Sequence, residues 1–185
     1  MRIGAGSYRG RMLKTPKGEA TRPTSGIVRE TLFNILAPVI DDARVLDLFA
    51  GCGSVGLEAL SHGAAHATFV EKSRPALACL RENIAQLKVT EETMVLPYPV
   101  ERALDSLGTR EQFDIIFLDP PFADAPAYRT VLEMVAAGNL LTPDGLLIAQ
   151  HDARLPLPDQ VATLTCYRRQ RIGDNMLSFY QLSEP

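Results

Sequence analysis

The sequence predicts an α/β protein built on a seven-stranded, mostly parallel sheet, and three observations carry that expectation. Five apolar, β-rich runs alternate with amphipathic stretches of helical spacing, which implies right-handed crossovers between parallel strands. The first run, Val45-Leu46-Asp47-Leu48, leads into three glycines spaced G-x-G-x-x-G (Gly51, Gly53, Gly56), and a helical pattern follows through Leu57, Ala59 and Leu60. The last segment breaks the rhythm. Val161 to Arg169 and Met176 to Leu182 are strand-like runs around Gly173-Asp174-Asn175, a hairpin signal that places one antiparallel strand near an edge.

In chain order, Ile3 to Leu13 reads as a short hairpin with turn or bulge glycines at Gly4, Gly6 and Gly10. Residues 14–23 are loop, rich in Pro, Gly and Thr. Thr24 or Ser25 then caps a helix whose apolar face is Ile27, Thr31, Leu32, Ile35 and Leu36, and Pro38 lies where it should be ending. Strands are expected near 44–49, 67–71, 93–97, 113–118 and 145–150, with helices at 55–62, 75–87, 100–107 and 127–137. The chain thus divides into a basic hairpin, loop and helix over residues 1–40 and an α/β domain over residues 41–185.

Composition excludes several classes. With 46% hydrophobic and 22% charged residues over 185 positions, this is ordinary globular material with enough chain for a substantial core. Cys52, Cys79 and Cys166 lack any C-x-x-C pairing, and the three histidines show no metal-ligand spacing, so no metal is expected. Reduced thiols point to the cytoplasm. No run approaches the length of a membrane span, and Arg2 and Arg9 are followed by no apolar stretch of a signal peptide. A monomer is expected. His62 and His66 read as surface groups, and His151 as a residue that could line a cleft.

Charge is unevenly placed. Residues 1–30 hold Arg2, Arg9, Arg11, Lys14, Lys17, Arg22 and Arg29 against Glu19 and Glu30, although the whole chain carries −3. A basic arm on an acidic body reads as a polyanion contact. It reads equally as a solvated edge hairpin whose cations discourage strand pairing. Charge alone favours neither.

The glycine turn marks a nucleotide-binding βαβ entry, where bare backbone lets a ligand approach. Asp47, just before the glycines, would repel the pyrophosphate of a dinucleotide. It suits a ligand with an ammonium group and no phosphate, such as S-adenosylmethionine; a turn or helix-capping carboxylate is the bland alternative. Glu71 ends the next apolar run, 20 residues past Gly51, where it can accept both ribose hydroxyls. NAD sites place an acid at the same distance, so Glu71 leaves both cofactors open.

The second chemical stretch is Ile115-Ile116-Phe117-Leu118-Asp119-Pro120-Pro121-Phe122. Four apolar residues make a buried strand, and Asp119 sits at its carboxyl end, where open α/β sheets hold ligands. The prolines pin the turn, and Pro120 offers a carbonyl acceptor. Asp119, that carbonyl and the Phe122 ring suit a planar base with a primary amino group that is unpaired or flipped out of its stack. A strand-ending turn with a core phenylalanine is the plain alternative. Two independent signals in one α/β body argue for the site.

On these residues the chain resembles the class I S-adenosylmethionine-dependent amino-methyltransferases, whose fold is Rossmann-like. More closely, it resembles the RsmD-type family, which methylates a guanine 2-amino group in small-subunit (16S) ribosomal RNA. The matching stretches are Tyr8 to Arg11, Thr21 to Ser25, Val28 to Asn34, Leu46 to Gly51, Gly56 to Leu60, Asp119 to Phe122 and Leu177 to Tyr180. The resemblance implies a catalytic Asp119-Pro120-Pro121-Phe122 corner. It implies cofactor contacts at Asp47, Phe49, Ala50, Gly51, Cys52, Gly53, Glu71, Lys72, Val100 and Glu101. It also implies an RNA or 30S-particle contact at Arg9, Arg11, Arg22, Pro23 and Thr24, with the helix of Arg29 and Asn34 over the cofactor's methionine end. Cys52 stands where the family usually has Ser, and Leu96 to Glu101 lacks the usual small polar or acidic residue for adenine.

Rival readings are weaker. A cytosine-5 mechanism needs a nucleophilic cysteine, and none follows a proline or lies near Asp119. A nicotinamide dehydrogenase leaves Asp47 and the Asp119 corner unexplained. Methylation of adenine N6 in RNA or DNA, or a non-catalytic RNA-binding module, remains as an alternative function.

Overall fold

The computed structural model describes residues 1–16, 25–108, 110–121 and 125–183. Among these residues five helices, α1 (Gly26–Leu36), α2 (Ser54–Ser61), α3 (Arg74–Leu87), α4 (Val100–Leu107) and α5 (Ala125–Ala137), accompany eight strands. These are β1 (Arg44–Leu48), β2 (His66–Val70), β3 (Thr93–Leu96), β4 (Phe113–Leu118), β5 (Leu141–Asp152), β6 (Gln160–Val161), β7 (Leu164–Ile172) and β8 (Asn175–Leu182). They form one sheet in the order β3-β2-β1-β4-β5-β8-β7-β6. The order reverses between β1 and β4, which puts a ligand crevice at their carboxyl ends.

The mostly parallel α/β expectation holds, and the seven-strand count is corrected to eight. The extra strand is the two-residue β6, antiparallel to β7, so β6 joins β8 in running against its neighbour. Strand β5 also starts earlier than expected. A register irregularity between Phe113 and Ile115 of β4 lets Leu141 pair before the Thr142–Gly145 stretch bulges outward.

Two apolar layers sandwich the sheet. One cluster joins Val45, Phe69, Phe117 and Ile148 to α1, α2 and α3, and the other joins Leu46, Leu118, Leu147 and Tyr180 to α4 and α5. Alternation along each strand sorts the side chains between the layers. Ile3, Leu13, Val28, Leu32 and Phe33 belong to the first layer, so the N-terminal segment shares a core with the sheet.

The N-terminal hairpin is short. Around the antiparallel Arg2–Met12 bridge, Leu13 N–H donates to the Met1 carbonyl (2.7 Å), Ile3 N–H to the Arg11 carbonyl (3.0 Å) and Gly10 N–H to the Ile3 carbonyl (2.9 Å), and its remaining donors tie it to α2. Gly4 and Ala5 N–H groups donate to Glu58 Oε1 (2.8 and 3.2 Å), and Tyr8 N–H to Ser61 Oγ (2.9 Å). In α1 the cap is Ser25, whose Oγ accepts from Val28 N–H at 3.3 Å. The buried face is Val28, Arg29, Leu32, Phe33 and Leu36, while Ile27 is 68% exposed. The phase error came from counting Ile27 as apolar and Arg29 as polar. Arg29 is buried against Glu58 with Nε to Oε2 at 3.3 Å, and a further N–H donates to the Arg2 carbonyl at 2.9 Å.

Candidate active site

The glycine turn is built by three left-handed residues in five. Phe49 (φ 61), Gly51 (φ 58) and Gly53 (φ 84) reverse the chain between β1 and α2. The glycines do different things. A Cβ on Gly53 would meet Leu80 at 2.4 Å and one on Gly56 would meet Phe69 at 2.3 Å, so both permit close packing of α2. A Cβ on Gly51 would meet nothing within 4 Å. Gly51 therefore presents bare backbone to open space, as a ligand cradle requires.

Asp47 lies at the heart of this turn and is 1% exposed. Its Oδ2 accepts the Gly56 N–H at 2.9 Å, at the start of α2. The position that would take a phosphate in a dinucleotide site is occupied by the protein's own carboxylate. Burial pushes its pKa up to about 7, against the Gly56 hydrogen bond, and the like charges of Asp119 and Glu71 push the same way. The carboxyls of Asp47, Glu71 and Asp119 thus gather negative charge near the carboxyl ends of β1, β2 and β4.

That shift makes a pH prediction. Unfolded, Asp47 titrates near 3.8; folded, it keeps its proton to about 7. The native state thus binds the extra proton between those values, and stability falls as pH rises from about 4 to about 7. Asp47→Asn keeps an acceptor for Gly56 and removes the ionisation. In ligand-free protein at pH 8 it is expected to be the more stable by up to about 4 kcal/mol, the gap closing towards pH 4. Parallel melting-temperature profiles against pH would contradict the assignment.

Glu71 is half-buried and ties the turn together: Oε2 accepts Gly51 N–H and Oε1 accepts Ser73 N–H, both at 2.7 Å. Each oxygen keeps a further lone pair for a ligand hydroxyl. Cys52 is buried, its thiol pushed up mainly by burial, and it offers only backbone, with its carbonyl accepting from Asn83 Nδ2 at 3.0 Å. Phe49 is half-buried and Ala50 buried, and the Ala50 N–H is taken by the Val70 carbonyl at 2.9 Å. Lys72 and Glu101 are exposed, and Val100 is buried as the first residue of α4. Beside them the Arg102 guanidinium covers the Tyr98 ring at 4.5 Å.

Asp119 is half-buried, one residue beyond Leu118, which is level with Leu48 of β1 and Ala149 of β5. Pro120 is buried and Pro121 exposed. Phe122, Arg22, Pro23 and Thr24 lie outside the described residues, whereas Arg9 and Arg11 are exposed on the arm. Among the described residues no cluster could hold a metal ion, and no helix is long and apolar enough to cross a membrane. A cavity of about 720 Å³ lined by Tyr128, Leu155, Leu157, Pro158 and Val161 contains none of these site residues.

The histidines depart from expectation. His62 is half-buried and stacked on Phe33, with centroids 4.7 Å apart. His66 is also half-buried. His151 is 2% exposed and held by Ser178 Oγ (2.8 Å) and the Asp152 carbonyl (2.9 Å), with its pKa lowered chiefly by burial, so it is a core residue. Arg29 is engaged by Glu58, and Asn34 is exposed.

Four residues of the site's surroundings escaped the sequence reading. Asn83, fully buried, accepts from Lys14 N–H (2.8 Å) and donates to the Lys14 and Cys52 carbonyls (3.0 Å each), so one amide joins the arm to the glycine turn. Glu58 and Ser61 hold the arm to α2. Their signal was present: two polar residues one turn apart in an otherwise apolar helix. Gln150 of β5 shares the Ile148 face of the sheet, next to the Asp119 strand end, and its Oε1 is buried without a hydrogen-bond partner among the described residues.

Residues 1–181 match the family model described as conserved hypothetical protein 95. The chain is 38% identical over 181 residues to ribosomal RNA small subunit methyltransferase D of Escherichia coli K12, covering 98% of this chain and 89% of that one. It is 37% identical over 182 residues to YlbH of Bacillus subtilis, covering 98% of each. The solved structure of yhhF from Escherichia coli superposes with a TM-score of 0.86 at 34% identity, over 100% of this chain and 99% of that one.

Proposed function

Since the chain belongs to the conserved hypothetical protein 95 family, that of the RsmD-type rRNA methyltransferases, we propose that it methylates the exocyclic 2-amino group of a guanine in small-subunit ribosomal RNA. S-adenosylmethionine-dependent methylation of that RNA follows from the family, and the guanine 2-amino group is the finer assignment. The observation that carries the reading is Asp47, a buried carboxylate seated where α2 begins, flanked by the charges of Glu71 and Asp119. This arrangement favours a phosphate-free cation over a dinucleotide.

S-adenosylmethionine supplies an electrophilic methyl on a sulfonium sulfur. Gly51 to Gly53 would lie against its methionine, Glu71 on its ribose, and Lys72, Val100 and Glu101 near its adenosine. Asp119 and the Pro120 carbonyl would accept the two protons of the target amine, favouring its pyramidal form and aiming its lone pair at the methyl. Pro121 and Phe122 would shape and stack the base. Position and these hydrogen bonds would supply the rate. As the amine takes the methyl the sulfonium leaves as the thioether of S-adenosylhomocysteine, and the surplus proton on nitrogen would pass to Asp119 or water. Residues 1–40 would form an RNA-facing appendage of the 41–185 domain, acting as a cytoplasmic monomer on free RNA or on the 30S particle.

Labelled methyl transfer to small-subunit RNA from cells lacking the chain, followed by mass spectrometry of the nucleosides, tests the assignment. N2-methylguanosine is expected. N6-methyladenosine would move the target to adenine, and an absence of transfer would leave a non-catalytic module. Arg9→Ala with Arg11→Ala is expected to weaken RNA binding and lower its salt slope by about 1–2. An unchanged slope would return the arm to an edge that merely avoids pairing.

A further inference from the structure

The arm is not the only concentration of positive charge. Strand β7 carries Arg168, Arg169 and Arg171 in nine residues that contain no Asp or Glu, although the chain as a whole is acidic. Register places this run at the catalytic rim. Gln150, His151 and Asp152 of β5 are level with Leu177, Met176 and Asn175 of β8, which are level with Gln170, Arg171 and Ile172 of β7. The Gly173 turn therefore projects from the carboxyl edge that holds Asp119, three strand spacings, or about 14 Å, from β4. Among the described residues β7 has the two-residue β6 as its outer strand, paired at Leu164 and Thr165, and Cys166 N–H donates to the Asp159 carbonyl (2.7 Å), so past that contact β7 is the edge strand of the sheet.

The three guanidiniums differ. Arg169 is engaged by Asp159 (2.6 Å) and the Leu157 carbonyl (2.9 Å). Arg168 and Arg171 are exposed, and neither forms an ion pair with a described residue. Arg171 Nε donates to the Gly173 carbonyl at 3.0 Å, and the Arg168 guanidinium lies 5.7 Å over the Phe179 ring. Each thus rests against its own hairpin with no counter-charge among the described residues. Between them and the core, Tyr167 is 46% exposed at the register shift of β7, its ring 6.3 Å from Phe179. Cations alone would keep a sheet edge unpaired. Tyr167 and Arg168 share the Phe179 face of this edge, and Arg171, level with Met176, lies on the other face. The strand thus offers a ring with one guanidinium beside it and a second across the edge, a stacking surface flanked by phosphate ligands such as single-stranded RNA contact uses.

We propose that the Tyr167–Arg171 edge is a second RNA-contact surface, flanking Asp119 on the side opposite the N-terminal arm. Arg168 and Arg171 take phosphates and Tyr167 stacks an unpaired base. The arm rests on α2 and α3, which follow β1 and β2, whereas β7 lies beyond β5 and β8, so the two basic segments lie on opposite sides of β4 along the sheet. This inference rests on the rRNA reading above.

The test is equilibrium binding of the full chain to small-subunit RNA over a range of salt concentrations. Arg168→Ala with Arg171→Ala is expected to weaken binding about tenfold at physiological salt and to lower the salt slope by about 1.4, as loss of two phosphate contacts on single-stranded RNA requires. Tyr167→Ala is expected to weaken binding about fivefold or more with the slope intact. S-adenosylhomocysteine affinity and melting temperature should match the parent for all three substitutions. If the arginine variant keeps parental affinity and slope while the Arg9, Arg11 variant loses both, the surface is overturned and the rRNA reading stands. Loss of activity on 30S particles with unchanged binding to free RNA would make this edge a protein contact and overturn it as well. If the parent chain neither binds nor methylates the RNA, the functional reading itself falls.

Discussion

Asp119→Ala is expected to lower methyl transfer about 10²- to 10³-fold while S-adenosylhomocysteine affinity stays within a few-fold of the parent. Removal of one preorganised hydrogen-bonding group that acts on developing charge costs about that much. Asp119 stands beyond the Leu118 position, level with β1 and β5, so its carboxylate is held by a strand buried on both faces. It contributes to the negative field on Asp47 without being part of the glycine turn. Asp119→Asn retains an acceptor and should recover part of the lost rate. A parental rate in the alanine variant would remove Asp119 from the chemistry; loss of cofactor binding would reassign it to the donor.

The largest stability effect is expected at Glu58. One oxygen accepts the Gly4 and Ala5 N–H groups, the other faces Arg29 Nε at 3.3 Å, and the two side chains are only 5% and 7% exposed. Glu58→Ala removes the carboxylate that faces the buried Arg29 and leaves the Gly4 and Ala5 N–H groups unmatched, at a cost of about 3–5 kcal/mol. For a chain of this length that corresponds to a fall in melting temperature on the order of 10 °C. Pairing Glu58→Leu with Arg29→Met, which removes both charges and fills the space, should restore most of the loss. A single variant that melts within 2 °C of the parent would show that the arm is held by its apolar contacts, Ile3 and Leu13, instead.

The sheet was legible because its signals are local. Buried parallel strands read as apolar runs, and the glycine spacing encodes a turn that only a few residues can make. The two-residue β6 carries no period to detect, and the seat of the N-terminal hairpin depends on Glu58 and Ser61, which take the Gly4, Ala5 and Tyr8 N–H groups from far along the chain. The phase of α1 failed for a similar reason. A buried arginine cannot be told from an exposed one until its partner, 29 residues away in sequence, is placed against it. Asp47 and Glu71 were found by type and spacing, yet both already hold backbone amides, Gly56 for the first and Gly51 and Ser73 for the second. Asn83 and Gln150 gave no motif at all, because an amide in a helix or strand announces nothing until the fold shows what it faces.

A crystal structure of the chain with S-adenosylhomocysteine is the most direct measurement. The ligand's amino group is expected on the Asp47 side of Gly51, its ribose hydroxyls on Glu71 and its sulfur directed toward Asp119 and Pro120. A ligand seated in the cavity beneath α5, or one whose sulfur faces away from Asp119, would contradict it.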